Sequence, residues 1–367
     1  MTIAGRVGTA AVFPNDLAEG NITGHIVGID LPETINPHYV AAFINSELGQ
    51  FQVDRWAQRT TRPELNLFEV GQILIPLPPR PVQDRIAQVM QDAYAARQVK
   101  LVEAEALLKD IESLVLEMLE IPADLPKDEK HFTVKRSLLH RSDVRYFSPY
   151  YQQIEQHIQS GKFATQPLRT LCTKLTNGLT PARAAYEDEG HIVVKVASLT
   201  KDWRIDWNKI AFTSEAFFDK AKRASIEQDD LLILSASHQL DYIGRNFGLV
   251  LDIPKSIQGR CIAVGELIIA RLNKQKVLPK YILACFVTRP FQELINRMTR
   301  GQSAHLYSED LGSLQIPIPP NSVQKRIANE IDSRCAAARH LRAEAEGIVA
   351  EAKAHVERMI LGEEPAL

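Results

Sequence analysis

The chain contains an internal repeat, and this repeat constrains its fold more than any other feature. Residues 75–79 (Ile-Pro-Leu-Pro-Pro) recur 241 positions later as residues 316–320 (Ile-Pro-Ile-Pro-Pro). The same spacing pairs Gln83 with Gln324 and residues 85–87 with residues 326–328. A period this long exceeds that of any solenoid repeat, so it indicates two copies of a larger structural unit.

The two copies are unequally complete. The repeated segment covers about residues 5–120 and 244–361. About 110 further residues, roughly 131–243, stand in front of the second copy, and almost none stand in front of the first. We therefore expect one complete globular domain and one that lacks its N-terminal half.

Each copy ends in a segment with helical periodicity, residues 80–120 and 321–361. Apolar residues recur at steps of three and four, and strong helix formers dominate. About 40 residues at 1.5 Å each give a rod of roughly 60 Å, which one narrow apolar stripe does not stabilise alone. We predict that the two helices pair as an antiparallel coiled coil, the alternative being that each packs on its own globular domain. The stripe residues expected at these interfaces are Ile86, Met90, Leu107, Ile111, Ile327, Ile331, Ile348 and Val356.

The globular segments carry short aliphatic runs separated by glycine and proline, which is typical of strands joined by turns. The predicted strands are residues 192–196, 231–235, 248–251 and 267–272, and short helices are predicted at 43–51 and 281–287. Each proline-rich segment is expected to end a strand and start a long helix. The predicted fold class is α+β, with a twisted sheet in each globular domain.

An ordered series of motifs makes the chain similar to a known family. Residues 145–150 read Arg-Tyr-Phe-Ser-Pro-Tyr, 178–181 read Gly-Leu-Thr-Pro, and 229–233 read Asp-Asp-Leu-Leu-Ile. The series closes on Ile-Pro-x-Pro-Pro followed by Gln and Ile, which occurs twice and leads into a long helix each time. Together these motifs resemble the specificity (S) subunit of a type I restriction-modification system.

The resemblance implies target recognition domains that alternate with two spacer helices. The implied boundaries are a partial first recognition domain at 1–79, the first helix and linker at 80–130, a complete second recognition domain at 131–320, and the second helix at 321–367. Each recognition domain would read one half of a bipartite site in double-stranded DNA. The departure from the family is the missing half of the first domain, for which truncation and completion by another polypeptide are the alternatives.

The resemblance also implies partners and cofactors. Two methyltransferase (M) subunits and restriction/motor (R) subunits would dock on a non-catalytic scaffold. S-adenosylmethionine, ATP and Mg would bind those partners, and this chain would bind no cofactor. Two other interpretations stay open: the recognition subunit of another methylation-associated phage-defence system, and an assembly scaffold that does not read DNA.

The charge distribution bears on DNA binding. The 43 Lys and Arg against 45 Asp and Glu give a net charge of −2, which by itself argues against a nucleic-acid binder. Divided by segment, the net charge is −4 for residues 1–79, −4 for 80–130, +7 for 131–320 and −1 for 321–367. A localised positive domain is what phosphate contact needs. The densest basic clusters are Arg271, Lys274, Lys276 and Lys280, then Lys201, Arg204 and Lys209, with ordinary solvated loops as the alternative.

Polar loops are the candidates for base contacts, because base edges are read by hydrogen-bonding side chains. Residues 299–305 form one such loop, with 59–64 as its counterpart in the first copy, and residues 174–183 and 235–239 form two others. The predicted DNA-contacting residues are Lys174, Thr180, Arg183, Lys201, Arg204, His238, Lys274, Lys276, Arg300, Gln302, Ser303 and His305.

Motifs for catalysis are not found in the sequence. Residues 36–39 (Asn-Pro-His-Tyr) resemble the amine-holding motif of adenine methyltransferases, but the repeat sets them opposite residues 278–281 (Leu-Pro-Lys-Tyr), which favours a helix start. The chain has no Walker P-loop and no His-Glu-x-x-His metal motif. Its four separated cysteines and the lack of an apolar run of eighteen residues indicate a cytoplasmic protein.

Overall fold

A computed structural model describes residues 1–14, 16–58, 63–129, 131–139, 141, 143–255, 260–301 and 304–365. The chain divides into two compact units, the first formed by Met1–Glu105 with Ala338–Leu367 and the second by Ala106–Ala337. The helices are α1 Pro37–Asn45, α2 Glu47–Trp56, α3 Leu67–Val70, α4 Arg80–Leu119, α5 Pro149–Ser160, α6 Leu168–Leu171, α7 Glu215–Lys220, α8 Pro279–Val287, α9 Arg289–Arg297, α10 Ser308–Leu311 and α11 Asn321–Leu361. The strands are β1 Thr165–Pro167, β2 Cys172–Asn177, β3 Tyr186–Glu187, β4 His191–Val194, β5 Ile210–Thr213, β6 Leu231–Leu234, β7 Ala236–Ser237, β8 Phe247–Leu249, β9 Cys261–Ala263, β10 Leu267–Leu272, β11 Ala304–His305 and β12 Gln315–Pro317.

The two long helices pair antiparallel within each unit, as predicted. In the first unit, the early part of α4 meets the late part of α11. Ile86 and Met90 share a core with Val356 there, and Arg97 forms an ion pair with Glu346 at 3.0 Å.

In the second unit, the late part of α4 meets the early part of α11. Ile111 shares a core with Ile327 and Ile331, and Arg334 lies 3.5 Å from Asp110. Of the predicted stripe, Leu107 and Ile348 are half-buried, and the other six residues are buried. The α+β fold class with paired long helices is confirmed. The helices also pack on the globular parts, so the two packing alternatives occur together.

The second unit is built on a four-stranded antiparallel sheet of order β2-β10-β6-β8. Successive side chains of a strand point to opposite faces. In β6, Leu231 and Ile233 therefore enter a core shared with the helices, whereas Leu232 enters a core shared with the second sheet. Burial on both faces explains why this strand is a continuous apolar run.

A second four-stranded sheet, of order β3-β5-β4-β9, lies over that face. Strand β4 pairs antiparallel with β5 and parallel with β9. Two short ladders complete the unit, β1 with β12 and β7 with β11. Each is antiparallel and joins segments far apart in the sequence.

The predicted strand at 267–272 is confirmed, and the other three are displaced by one or two residues at one or both ends. The predicted helix at 43–51 is wrong as a single element, because Ser46 is extended and separates α1 from α2. The Ser46 hydroxyl accepts a hydrogen bond from the Gly49 amide at 3.3 Å and so caps α2. A Cβ at Gly49 would lie 2.2 Å from the Phe43 carbonyl oxygen, so only glycine fits this corner.

In the first unit, α1 packs Tyr39 and Phe43 against Ile86 of α4 and Val356 of α11. The strand predicted before each proline-rich segment forms only in the second copy, where β12 pairs with β1. Residues 72–79 of the first copy have no strand structure. The physical reason is that a strand needs a partner, and the described residues of the first unit supply no equivalent of β1.

The repeated glutamine holds the start of each long helix in the same way. The Gln324 carbonyl accepts from the Leu278 amide at 2.9 Å, and its NH₂ donates to Pro319 at 2.9 Å. In the first copy the Gln83 carbonyl accepts from the Asn36 amide at 2.9 Å, and its NH₂ donates to Pro78 at 2.8 Å. We call this arrangement the glutamine joint.

A repeated tyrosine completes each joint. The Tyr281 hydroxyl donates to the Pro317 carbonyl at 2.6 Å, and the Tyr39 hydroxyl donates to the Pro76 carbonyl at 2.6 Å. Burial raises the pKa of Tyr39 to about 12, so it keeps its proton. Asn36 caps α1, so residues 36–39 form a helix start, as the repeat predicted.

Backbone contacts extend the repeat beyond the sequence match. The Ile3 amide donates to the His25 carbonyl at 2.9 Å, and the Leu65 amide donates to the Ile3 carbonyl at 2.9 Å. Ser235 makes the same pair of bonds with Glu266 and Leu306 at 2.8 and 2.7 Å. Ile3 is thus the structural counterpart of Ser235, although the two residues share no side-chain chemistry.

Candidate nucleic-acid interface

Three polar loops meet at one end of the main sheet of the second unit. Strand β2 ends at Asn177, β6 ends at Leu234, and β10 begins at Leu267. The Asn177 Nδ2 donates to Ser235 Oγ at 3.2 Å, which ties the first loop to the second. We call the described residues 178–183, 235–239, 300–301 and 304–305 the loop edge.

The first loop of the edge is anchored through Thr180. Its Oγ1 accepts from the Gly265 amide at 2.8 Å and donates to Glu266 Oε2 at 2.8 Å. A Cβ at Gly178 would lie 2.2 Å from the carbonyl oxygens of Ala263 and Val264, so this loop requires glycine where it leaves the strand. Arg183, three residues beyond Thr180, is exposed.

The second and third loops of the edge are joined by a short ladder. Ala236 pairs with His305, and Ser237 pairs with Ala304. The structure therefore brings His238, Arg300 and His305 to one place, although 61 residues separate the two segments in sequence. Gln302 and Ser303, predicted to contact DNA, lie outside the described residues, as do residues 59–62 of the counterpart loop.

Arg300 is an exposed cation of the loop edge whose side-chain contacts the structure describes. Its side chain is 49% exposed, forms an ion pair with Asp310, and lies 5.5 Å from the centre of the Tyr307 ring. The Arg300 amide and carbonyl both bond to His305, at 2.8 and 2.9 Å. Gly301 between them has a φ of +83°, which permits the tight reversal. Arg300 is thus held at its backbone while much of its guanidinium faces solvent.

The other predicted DNA residues lie away from this edge. Strand β10 runs antiparallel to β2, so Lys274 and Lys276 follow its far end, a six-residue strand or about 20 Å away. Lys274 forms an ion pair with Asp229 at 2.7 Å, and Lys276 donates to the Thr170 carbonyl at 3.0 Å. Arg204 also lies beyond that end of the sheet, paired with Asp252.

Lys174 and Lys201 complete the predicted set. Lys174 lies within β2, and its Nζ donates to the Ser225 carbonyl at 2.7 Å. Burial lowers the pKa of this half-buried amine. Lys201 is exposed. The structure therefore separates the predicted residues into a loop-edge group of Thr180, Arg183, His238, Arg300 and His305 and a far group of Lys174, Lys201, Arg204, Lys274 and Lys276.

The densest basic cluster of the sequence is largely neutralised. Asp230, buried, accepts from Arg271 Nε at 2.9 Å and from Nη2 at 2.8 Å. Glu227 binds the same guanidinium at 2.6 Å, and Lys280 pairs with Asp332 at 2.5 Å. These pairs lower the positive potential that the residue count predicts for this basic cluster.

A cluster that sequence analysis missed lies beside the loop edge. The guanidinium carbons of Arg141 and Arg297 lie 4.3 and 4.5 Å from the centre of the Tyr146 ring. Arg145 lies 5.6 Å from the Tyr151 ring. We call these residues the arginine–tyrosine cluster. The sequence pointed to this region only through the motif at 145–150, which resembles the start of a target recognition domain. The motif did not indicate that its arginine and tyrosines take part in ring contacts.

Three of the four cysteine thiols have a raised pKa in this fold. Burial raises the pKa of Cys261 to about 11 and those of Cys172 and Cys285 to about 12. Within the described ranges, no group of three His, Cys, Asp or Glu side chains is arranged to hold a metal ion. No helix in that part of the chain combines the length and apolar character needed to cross a bilayer.

One known protein family matches the part of the chain that carries the loop edge. The family described as type I restriction modification DNA specificity domain matches residues 162–336, which include all three loops of the edge. A search of curated proteins finds no sequence match.

Solved structures give three similar chains. One comes from work on complex assembly and conformational transition of the type I R-M system, with 18% identity, a TM-score of 0.48, and coverage of 91% of this chain and 73% of the other. The HsdS subunit from Thermoanaerobacter tengcongensis has 18% identity, a TM-score of 0.37 and coverage of 90% and 72%. The type I restriction-modification S subunit from M. genitalium has 12% identity, a TM-score of 0.43 and coverage of 89% and 73%.

Proposed function

We propose, on the premise that residues 162–336 belong to the family of type I restriction modification DNA specificity domains, that this chain recognises a DNA sequence through its loop edge. The observation that carries the proposal is the convergence of three polar loops at one end of one sheet. They present Arg183, His238, Arg300 and His305, which are side chains able to bond base edges in a groove.

The positive charge of the domain supports contact with DNA. Residues 131–320 carry a net charge of +7, whereas the rest of the chain is acidic. A pure assembly scaffold has no need for this asymmetry, which makes the scaffold interpretation less favoured. The recognition subunit of another methylation-associated defence system shares this chemistry, and the activities encoded by neighbouring genes distinguish it.

The proposal extends to a complex in the bacterial cytoplasm. In it the chain is the non-catalytic specificity subunit, the paired α4 and α11 are the scaffold, and two methyltransferase subunits with restriction/motor subunits are the partners. S-adenosylmethionine, ATP and Mg would bind to those partner subunits and not to this chain. Reading of a bipartite site requires the first unit to contact DNA as well. If it does, the site selected by the intact complex contains two half-sites, and if it does not, the site contains one.

The test is random-site selection with the purified full chain and with the complex, followed by binding to the selected duplex and a scrambled duplex. Arg300→Ala with His305→Ala is expected to reduce the preference for the selected duplex, because one lost base contact costs about 1–3 kcal/mol of discrimination. The matched control is Lys274→Ala with Lys276→Ala, which removes two cations from the far end of the sheet.

The control is expected to change affinity for both duplexes alike and to leave the preference intact. Binding without any selected sequence would contradict the proposed function. A selected sequence whose preference follows Lys274 and Lys276, and not Arg300 and His305, would place the recognition surface at the far end instead.

A further inference from the structure

We propose that Arg141 and Arg145 of the arginine–tyrosine cluster bind phosphate groups of the DNA duplex next to the loop edge, an inference that rests on the proposed function. The cluster lies entirely within the second unit. It joins the segment before α5 to the loop that contains Arg300.

Arg141 lies next to the loop edge. Arg141 Nη2 donates to the Thr299 carbonyl at 2.7 Å, and Thr299 directly precedes Arg300 of the loop edge. Arg297 Nε donates to the Tyr146 carbonyl at 2.8 Å, so the two segments are bonded in both directions. A duplex seated on the loop edge therefore passes beside Arg141.

Two of the four arginines in and beside the cluster are already paired with carboxylates. Arg297 is paired with Glu155 at 2.9 Å, and Arg300 is paired with Asp310. Arg141 and Arg145 form no ion pair among the described residues. The Asp143 carboxylate accepts from the backbone amide of Arg145 at 3.0 Å and caps the turn that follows.

Ring contacts hold the side chains of Arg141 and Arg145 in place before any ligand binds. A guanidinium held against an aromatic ring loses little further freedom when it binds, and its edge still offers N–H donors. Arg141 against Tyr146 and Arg145 against Tyr151 meet this condition, at 4.3 and 5.6 Å from the ring centres. Planar N–H pairs suit bidentate contact with phosphate oxygens, which positions the duplex without reading its sequence.

A purely structural role is the competing explanation, in which the rings and guanidiniums only fasten residues 141–147 to the domain. Arg297 has that role, since it is 9% exposed and bonds to Tyr146 and Glu155. Arg145 is exposed and Arg141 is half-buried, so both retain solvent-facing donors. The two roles differ in their dependence on salt.

The experiment measures binding of the full chain to the selected duplex and to a scrambled duplex over a series of salt concentrations. Arg141→Ala with Arg145→Ala is expected to weaken both complexes equally, by about tenfold or more near 0.1 M salt, and to lower the slope of log K against log salt by about 2. The control Lys220→Ala with Arg223→Ala removes the same charge from exposed positions and is expected to leave both quantities nearly unchanged.

Arg141→Lys with Arg145→Lys is expected to retain most of the slope, because a lysine still neutralises a phosphate as a point charge. A double alanine variant with the wild-type slope would overturn the inference. So would a variant whose lost affinity tracks a lowered melting temperature and whose lysine form does not recover the slope. If the wild-type chain binds no DNA, the proposed function itself fails, and this outcome is distinct from both.

Discussion

Leu311, Leu314 and Ile316 of the second unit are at most 1% exposed. The matched Val70, Ile73 and Ile75 of the first unit are only half-buried. Both segments are apolar at these three positions and end in Ile-Pro-x-Pro-Pro. The second unit covers its copy with α5, α6 and β1: the Leu168 amide donates to Leu314, and β1 pairs with β12.

The glutamine joint, by contrast, is the same in both units. Its donors and acceptors all come from one copy of the repeat, so it forms whether or not the neighbouring strand is covered. This comparison teaches that the repeat contains two kinds of structure. One is satisfied locally, and the other needs a segment that only the second unit provides.

The largest expected effect tests the difference in burial. Ile316→Ala should destabilise the second unit by about 2–5 kcal/mol, because it removes a fully buried side chain and leaves a cavity. The matched Ile75→Ala should cost the first unit about half as much or less. Hydrogen exchange under increasing denaturant, followed by peptides from each unit, measures the two separately. Equal costs would show that the two copies are equally covered.

The next effect tests the shared joint. Gln324→Ala leaves the Leu278 amide and the Pro319 carbonyl without partners and should cost about 2–3 kcal/mol. Gln83→Ala should cost less, because its bond to the Pro78 carbonyl is only part-buried, whereas the bond from Gln324 to Pro319 is buried. Protection of the first turn of each long helix reports the loss. A glutamine whose removal leaves that turn protected would show that the proline segment alone sets the helix start.

A smaller effect is expected for the ion pairs between the long helices. Charge reversal Glu346→Lys in the first unit, opposite Arg97, or Asp110→Lys in the second, opposite Arg334, should change stability by at most about 1 kcal/mol in low salt. The change should diminish as salt is raised, since the carboxylate of each pair is well exposed to solvent. Thermal melts at two salt concentrations measure it. A large, salt-independent loss would indicate that these pairs hold the helices together more than their apolar stripes do.

The smallest effect on stability is expected where the copies differ on the surface. Phe68 and Leu74 are 70% and 78% exposed in the first unit, and the second copy has Glu309 and Gln315 at these positions. Phe68→Glu with Leu74→Gln should change folding stability by about 0.5 kcal/mol or less. Sedimentation should show less self-association, because the change removes exposed apolar area. A strongly destabilised variant would mean that these side chains are covered within the chain.

Much of the fold followed from local pattern. The boundaries of α4 and α11 match the helical periodicity within one residue, and the start of α8 matches the assignment from the repeat within two. Ser46 shows the limit: the helical pattern continues through it, but a capping hydroxyl and the close approach of Gly49 break the helix. Each loop of the candidate site was predicted separately from the sequence. The sequence could not show that residues 236–237 pair with residues 304–305 in a ladder. Nor could it show that Lys274 lies beyond the opposite end of β10.

What the sequence by itself determined was the repeat, the paired helices and the positive domain, because these depend on periodicity and composition. The tertiary structure alone decided which charges remain available, since Arg271 and Lys274 are matched by carboxylates from other segments. It also decided that Arg141 and Arg145 lie beside the loop edge, since ring contacts and a single bond to Thr299 leave no periodic trace in the sequence. Pairing between segments far apart in sequence depends on how the chain packs. In the second copy of the repeat β12 pairs with β1, whereas the matched residues 72–79 of the first copy form no strand.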